Sequence, residues 1–258
     1  MRSHVPSYEL TAARDVPHAL SMLCEGYRPI AGGTDVMVLF EAGKLAHKQW
    51  MSIRGIPELR FIDVDPDYVT LGALTTYTDV RRSAILAAEF PLMTEAAALT
   101  GGIATQNRGT IGGNIVNASP AADTPPALLA YDAEVELVSP RTSRWVDYTR
   151  FHQGYKVMDI ASDELLTRIR LPRRFADWKH FYRKVGTRRA QAISKVCFAG
   201  LRRGDQMRIA LGSVGPIPIF LESSDVSVIV PIDDVRSTAR YRMQVAKNLM
   251  EEFLHVTA

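Results

Sequence analysis

The feature that most limits how this chain can fold is a pair of glycine segments, each set between apolar runs. The first is Ala31-Gly32-Gly33-Thr34-Asp35, which follows the run Arg28-Pro29-Ile30-Ala31. Paired glycines let a strand turn sharply into a helix and let backbone approach a ligand closely. Upstream, Pro17–Glu25 carries Ala19, Leu20 and Leu23 at helical spacing, with Gly26 as its stop. Downstream, Val36–Ala42 is apolar on more than one side and reads as a short buried helix ended by Gly43, and Gln49–Ile53 reads as a strand. Together these form a compact β–α–β unit with the Gly-Gly turn after its first strand. In that turn Thr34 adds a hydroxyl donor and Asp35 is placed to cap the helix. Alone, the segment reads either as a plain turn or as an anion cradle.

The second segment is Gly109-Thr110-Ile111-Gly112-Gly113-Asn114. It holds no acid, and it matches neither the Walker pattern nor GxGxxG. It reads as a tight loop that either serves only the turn or offers several N–H groups to an anion. Two such segments in one chain suit two linked phosphates, and so a dinucleotide, better than one phosphate.

Between and beyond them the pattern is mixed. Phe61–Val64 and Tyr68–Leu71 flank Asp65-Pro66-Asp67 as a hairpin. Thr78 is expected to cap a helix through Arg82, and Leu92–Leu99 forms a helix stopped by Gly101-Gly102. Thr124-Pro125-Pro126 opens a helix through Tyr131, and Val135–Val138 is a strand. From about Asp177 the character turns antiparallel, with Lys195–Leu201 and Met207–Gly212 as a hairpin around Arg202-Arg203-Gly204-Asp205-Gln206. A long helix from about Asp233 would line Val235, Ala239, Val245, Leu249 and Phe253 along one face. The expected boundary falls near Pro172-Arg173-Arg174.

Composition narrows the function. The 258 residues are 47% apolar and 23% charged, which fits one or two globular domains at ~150 residues each. Lys and Arg total 31 against 28 Asp and Glu, too even a balance for a nucleic-acid surface. No apolar run is long enough to span a membrane, and Met1–Pro6 lacks the core of a signal peptide, so the expected setting is cytoplasmic. Cys24 and Cys197 are isolated and read as buried thiols; two thiols cannot supply an iron–sulfur cluster. The six histidines show no metal-binding spacing, so no metal site is expected.

The two glycine segments, followed by Ala118-Ser119-Pro120-Ala121-Ala122-Asp123, resemble the FAD-binding medium subunit of the molybdenum hydroxylases, the xanthine dehydrogenase and carbon monoxide dehydrogenase family. Further matches follow in order: Asp163-Glu164-Leu165-Leu166, Ile169-Arg170-Leu171-Pro172, Lys184 with Arg188-Arg189, Ala210–Val214 and Tyr241-Arg242. The resemblance covers nearly the whole chain.

It implies an α+β architecture: an FAD-binding PCMH-type, vanillyl-alcohol-oxidase-like fold over residues 1–175, with α/β subdomains of about 1–57 and 58–175. A small C-terminal α/β domain with an antiparallel sheet follows over 176–258, shortened after Gly215-Pro216-Ile217-Pro218. It also implies roles. Ala31, Gly32, Gly33, Thr34, Asp35 and Val36 would line one side of the FAD phosphates. Gly109, Thr110, Ile111, Gly112, Gly113 and Asn114 would line the other, with Asn117 in the same cofactor-side stretch. Asp123 would hold polar groups of the cofactor, and Leu166 and Lys184 would lie near the flavin ring. A lysine at the flavin's N1–C2=O edge suits the charge that reduction places there.

Partners are implied too: a molybdopterin-binding large subunit, a small subunit with two [2Fe-2S] clusters, and NAD or another electron acceptor. Two other readings stay open, a self-contained FAD oxidoreductase of the same fold and a phosphate-ligand module without redox chemistry. The first needs a substrate acid/base constellation, and none stands out in the sequence.

Overall fold

The computed structural model describes residues 7–188 and 191–258, so the readings on Met1–Pro6 and on Arg189 lie outside the described residues. The N-terminal part runs β1 (Glu9–Ala12), α1 (Val16–Cys24), β2 (Arg28–Ile30), α2 (Val36–Glu41) and β3 (Gln49–Ser52). Its strands form a parallel sheet in the order β1-β3-β2.

The middle continues with β4 (Ile62–Val64), β5 (Tyr68–Gly72), α3 (Tyr77–Arg82), α4 (Ala84–Glu89), α5 (Pro91–Leu99), α6 (Ile103–Arg108), α7 (Ile111–Asn117) and α8 (Pro125–Ala130). After these come β6 (Glu134–Val138), β7 (Ser143–Asp147), α9 (Tyr148–Phe151), β8 (His152–Gly154), β9 (Val157–Met158) and β10 (Leu165–Pro172). Here the sheet is antiparallel, ordered β4-β5-β10-β6-β7, and β8 pairs with β9. The last part is β11 (Lys179–Val185), β12 (Val196–Arg203), β13 (Gln206–Gly212), β14 (Ile219–Leu221) and α10 (Ala239–Val256), its strands antiparallel in chain order.

Strand alternation explains how the middle sheet sits. Val69, Leu71, Val135, Leu137, Ile169 and Leu171 are buried against Val80, Leu92, Met93, Ala96 and Leu128 of the helices. On the other face Arg170 bonds Glu134 at 2.6 Å and lies over the rings of Tyr68 and Trp145. The same core continues into the last sheet through Tyr182, Cys197, Ala199 and Ala210. That sheet's opposite face carries Phe181, Phe198, Ile209 and Leu211, which pack with Leu249, Met250 and Phe253 of α10. Burying each large side chain is worth about 1.5–3 kcal/mol, so the C-terminal sheet is held from both faces.

Several expected details change. Thr76, not Thr78, caps α3: its hydroxyl accepts from Asp79 N–H at 3.1 Å while Asp79 accepts from Thr76 N–H at 2.9 Å. Thr78 instead bonds Asn107. The final helix starts at Ala239 under a Thr238 cap, because Asp234–Ser237 pair in a turn and leave Val235 fully exposed. Its inner face is therefore Arg242, Ala246, Leu249, Met250 and Phe253. Helix α2 buries none of its residues: Met37, Val38 and Leu39 face outward, and Phe40 is half-buried against the ring of Tyr8. Cys24, on the last turn of α1, is exposed, whereas Cys197 is buried. Among the described residues no helix is long and apolar enough to cross a membrane.

His152 supplies a test of the packing. Its Nε2 lies 3.0 Å from the Tyr148 hydroxyl, and burial lowers the imidazole to about 4. The unfolded chain protonates nearer 6.5, so stability is complete above that value and falls as pH drops from about 6.5 to about 4. The expected loss is roughly 3 kcal/mol over that window. Urea unfolding across this pH range should show the slope in the wild type and a flatter one in His152→Phe; equal slopes would place the pH dependence elsewhere.

Candidate cofactor site

Strand β2 ends at Ile30, and the chain turns through Ala31–Asp35 into α2. Gly33 takes φ +75°, the left-handed region that glycine enters without a Cβ clash. Gly32 is constrained differently. A Cβ on it would stand 1.9 Å from the Arg108 carbonyl oxygen and 3.1 Å from Gly109 Cα, so only glycine fits. The Arg108 guanidinium reaches back to the Gly32 carbonyl at 3.4 Å. The first glycine segment thus lies directly on the entrance to the second.

The backbone N–H groups of Gly32, Gly33, Thr34, Asp35 and Val36 find no hydrogen-bond acceptor among the described residues. They form a run of unused donors on partly exposed backbone. Asp35 occupies the cap position of α2, yet its side chain makes no capping bond, contrary to the sequence expectation. An acidic cap accepting an N–H would have removed one donor from this run.

The second segment is not the open loop that its glycines suggest. Ile111–Asn114 form the first turn of α7, and Thr110 is its cap, accepting from Gly113 N–H at 3.1 Å. Ile111 N–H donates to Thr75 O at 2.9 Å, Gly112 N–H to Ala73 O at 3.0 Å, and Asn114 N–H to Thr110 O at 2.9 Å. No N–H of that turn is left for an anion. Gly112 is there for close packing, since its Cβ would meet Ala73 at 2.7 Å.

What the segment offers instead is side chains. Asn114 Oδ1 accepts from the buried Thr124 hydroxyl at 2.5 Å, and the Tyr77 hydroxyl joins the same pair. This orients the Asn114 amide so that its NH₂ points away from Thr124. At the far end of α7, Asn117 Oδ1 accepts from Lys156 Nζ at 3.0 Å, and the Asn117 carbonyl takes the same ammonium.

Asp123 follows one residue before Thr124, and its side chain is 8% exposed, as is that of Lys184 on β11. The two meet at 2.6 Å. Burial pushes the Asp123 carboxyl up, and the Lys184 ammonium and Ser194 hydroxyl pull against it. A buried charge without a partner would be strongly destabilising, so each group requires the other. Burial likewise pushes the Cys197 thiol well up, which makes it a packing group rather than a nucleophile.

Leu166 is buried on β10, opposite Leu137. The carbonyl of its neighbour Thr167 accepts from Ala73 N–H, and the Ala73 carbonyl accepts from Gly112 N–H. Two bonds therefore tie the strand that carries Leu166 to the start of α7. The structure thus gathers the two glycine segments at Gly32 and Arg108, and links Asn114 through Thr124 to the Asp123–Lys184 pair.

Sequence reasoning left out Thr124, Lys156, Tyr182 and Ser194. Only Thr124 had a local signal, as a hydroxyl residue beside Asp123. The others are brought in by tertiary contacts over long separations.

The packing at Gly32 makes a direct prediction. Gly32→Ala forces two backbones apart and should cost about 1–3 kcal/mol. Gly55→Ala, where a Cβ meets nothing within 4 Å, is the neutral control. Urea unfolding of the two variants should separate them; equal stability would mean that Gly32 and Arg108 do not touch as described.

The residues present fit a dinucleotide with a pyrophosphate: a run of free backbone donors on one segment, oriented amides on the other, and a buried ammonium beside them. Residues 6–174 match the family described as the FAD binding domain in molybdopterin dehydrogenase. The chain is 30% identical to the glyceraldehyde dehydrogenase medium chain of Sulfolobus acidocaldarius, over 97% of this chain and 99% of that one. It is 32% identical to a putative xanthine dehydrogenase FAD-binding subunit of Escherichia coli, over 76% and 70% of the two chains. A solved carbon monoxide dehydrogenase of Hydrogenophaga pseudoflava, lacking the Mo-pyranopterin moiety of its cofactor, superposes with a TM-score of 0.92 at 26% identity, covering 98% of each chain. With the glycine segments, the sheet architecture and these likenesses in agreement, the chain belongs to the FAD-binding medium subunits of the molybdenum hydroxylases, flavoprotein oxidoreductases with a PCMH-type fold.

Proposed function

We propose that this chain is the electron-transfer subunit of a cytoplasmic molybdopterin-dependent hydroxylase. In this reading it works beside a large molybdopterin-binding subunit and a small [2Fe-2S] subunit. It receives electrons from the small subunit and delivers them to NAD or another acceptor. The observation that carries the reading is the buried Lys184–Asp123 pair standing beside the joined glycine segments. The relatives named as medium chains and as a subunit of a dehydrogenase complex support the division of labour.

Within that assembly residues 1–175 are the FAD-binding part, in subdomains of about 1–57 and 58–175, and 176–258 the smaller C-terminal part. The family match over residues 6–174 supports this division. Ala31–Val36 would hold the phosphates with unused N–H groups and the Thr34 hydroxyl. Gly109–Asn114 and Asn117 would contribute close packing and the Asn114 amide. Leu166 would give apolar contact, and Lys184 a fixed positive charge with Asp123 as its counter-ion. Bound FAD supplies the exchange between one-electron and two-electron carriers, which side chains alone do not provide.

The test is purification from the native host followed by anaerobic addition of NADH. The chain should arrive with a molybdenum-bearing large subunit and a two-cluster small subunit, and NADH should bleach its flavin absorption. Arrival without those partners would overturn the assembly, and a flavin that dithionite reduces but NADH does not would exclude NAD as acceptor.

A further inference from the structure

Between β11 and β12 the chain departs just after Lys184 and returns at Ser194, and both ends of this excursion meet one carboxylate. Asp123 Oδ2 accepts from Lys184 Nζ at 2.6 Å, and Asp123 Oδ1 accepts from Ser194 Oγ at 2.6 Å. Ser194 is wholly buried. The backbone of Asp123 is held as well, since its carbonyl accepts from the Tyr182 hydroxyl at 2.9 Å. Tyr182 and Lys184 lie two residues apart on β11 and so point to the same side of the strand.

An ammonium has three N–H donors. Lys184 gives one to Asp123 and a second to the Leu99 carbonyl at 2.8 Å, which leaves one for a ligand. Its direction is set by the two that are fixed, and hence by the plane of the Asp123 carboxylate. With Oδ1 unbonded, that carboxylate could turn about its last torsion and carry the ammonium with it.

We propose that Ser194 is a positioning residue for Lys184, acting through Asp123 to aim the remaining N–H of the ammonium at the bound cofactor. This rests on the reading of Lys184 as the charge at the flavin's edge. Removing the Ser194 hydroxyl takes away one of the two hydroxyls that hold the Asp123 carboxylate, Thr100 supplying the other, which loosens the carboxylate and favours its rotation or protonation. Either outcome weakens the placement of positive charge where reduction puts negative charge.

The experiment is a spectroscopic redox titration of the FAD-loaded full chain. Lys184→Met should lower the flavin midpoint potential, and Ser194→Ala should lower it in the same direction by a smaller amount. Ser194→Thr, which restores the hydroxyl, should return it toward the wild-type value. Should Ser194→Ala fail to fold, Ser194→Cys, with a far weaker donor of similar size, carries the same expectation. A merely structural role would lower the melting temperature and leave the potential in place. A shift in Lys184→Met with none in the Ser194 variants overturns the positioning role alone. No shift in Lys184→Met overturns the placement of Lys184 and the proposal with it. A drop in Ser194→Thr equal to that in Ser194→Ala also overturns it, because the hydroxyl would then not be the cause.

Discussion

At Gly32 the backbone of the first glycine segment presses against the carbonyl of Arg108, with no room for a Cβ between them. The parallel sheet of the N-terminal part and the helices above the antiparallel sheet touch at this point. If the contact opens, the first glycine segment no longer lies against the entrance to the second. The site is therefore a property of two packed layers, and a single missing methyl group decides how close they come.

The two glycine segments do different work within that arrangement. The first keeps its N–H groups unbonded, which structure tolerates only on backbone that reaches water or a ligand. The second uses its N–H groups on Thr75, Ala73 and Thr110, and so becomes a rigid shelf that presents Asn114. Behind it the Asp123–Lys184–Ser194 cluster places charge in a buried setting. Such a cluster costs desolvation and is retained only with nearly every donor and acceptor paired.

Much of this was legible in the sequence. The hairpins around Asp65-Pro66-Asp67 and Gly204, and the Pro-initiated helix at Pro125, appear where turn chemistry and apolar spacing put them. Glycine content marked both segments that meet at Gly32 and Arg108, because few other residues pass so close to a neighbouring backbone. Glycine content did not reveal which segment would be helical: Ile111-Gly112-Gly113-Asn114 has poor helix propensity, and the Thr110 cap with its tertiary bonds overrides it. The final helix slipped for a similar reason. Val235 fits the helical period, but the Asp234–Ser237 turn places it outside. Ser194 and Lys156 carried no signal, since both lie in connections between strands and reach Asp123 and Asn117 only through tertiary packing.

Amide hydrogen exchange with and without FAD tests the central claim that the two segments hold the cofactor unequally. Adding FAD to the flavin-free chain should slow exchange across Gly32–Val36, whose N–H groups are free before binding. Exchange at Ile111–Asn114 should change little, because those N–H groups are already bonded within the protein. Protection that appeared at Ile111–Asn114 and not at Gly32–Val36 would contradict the account.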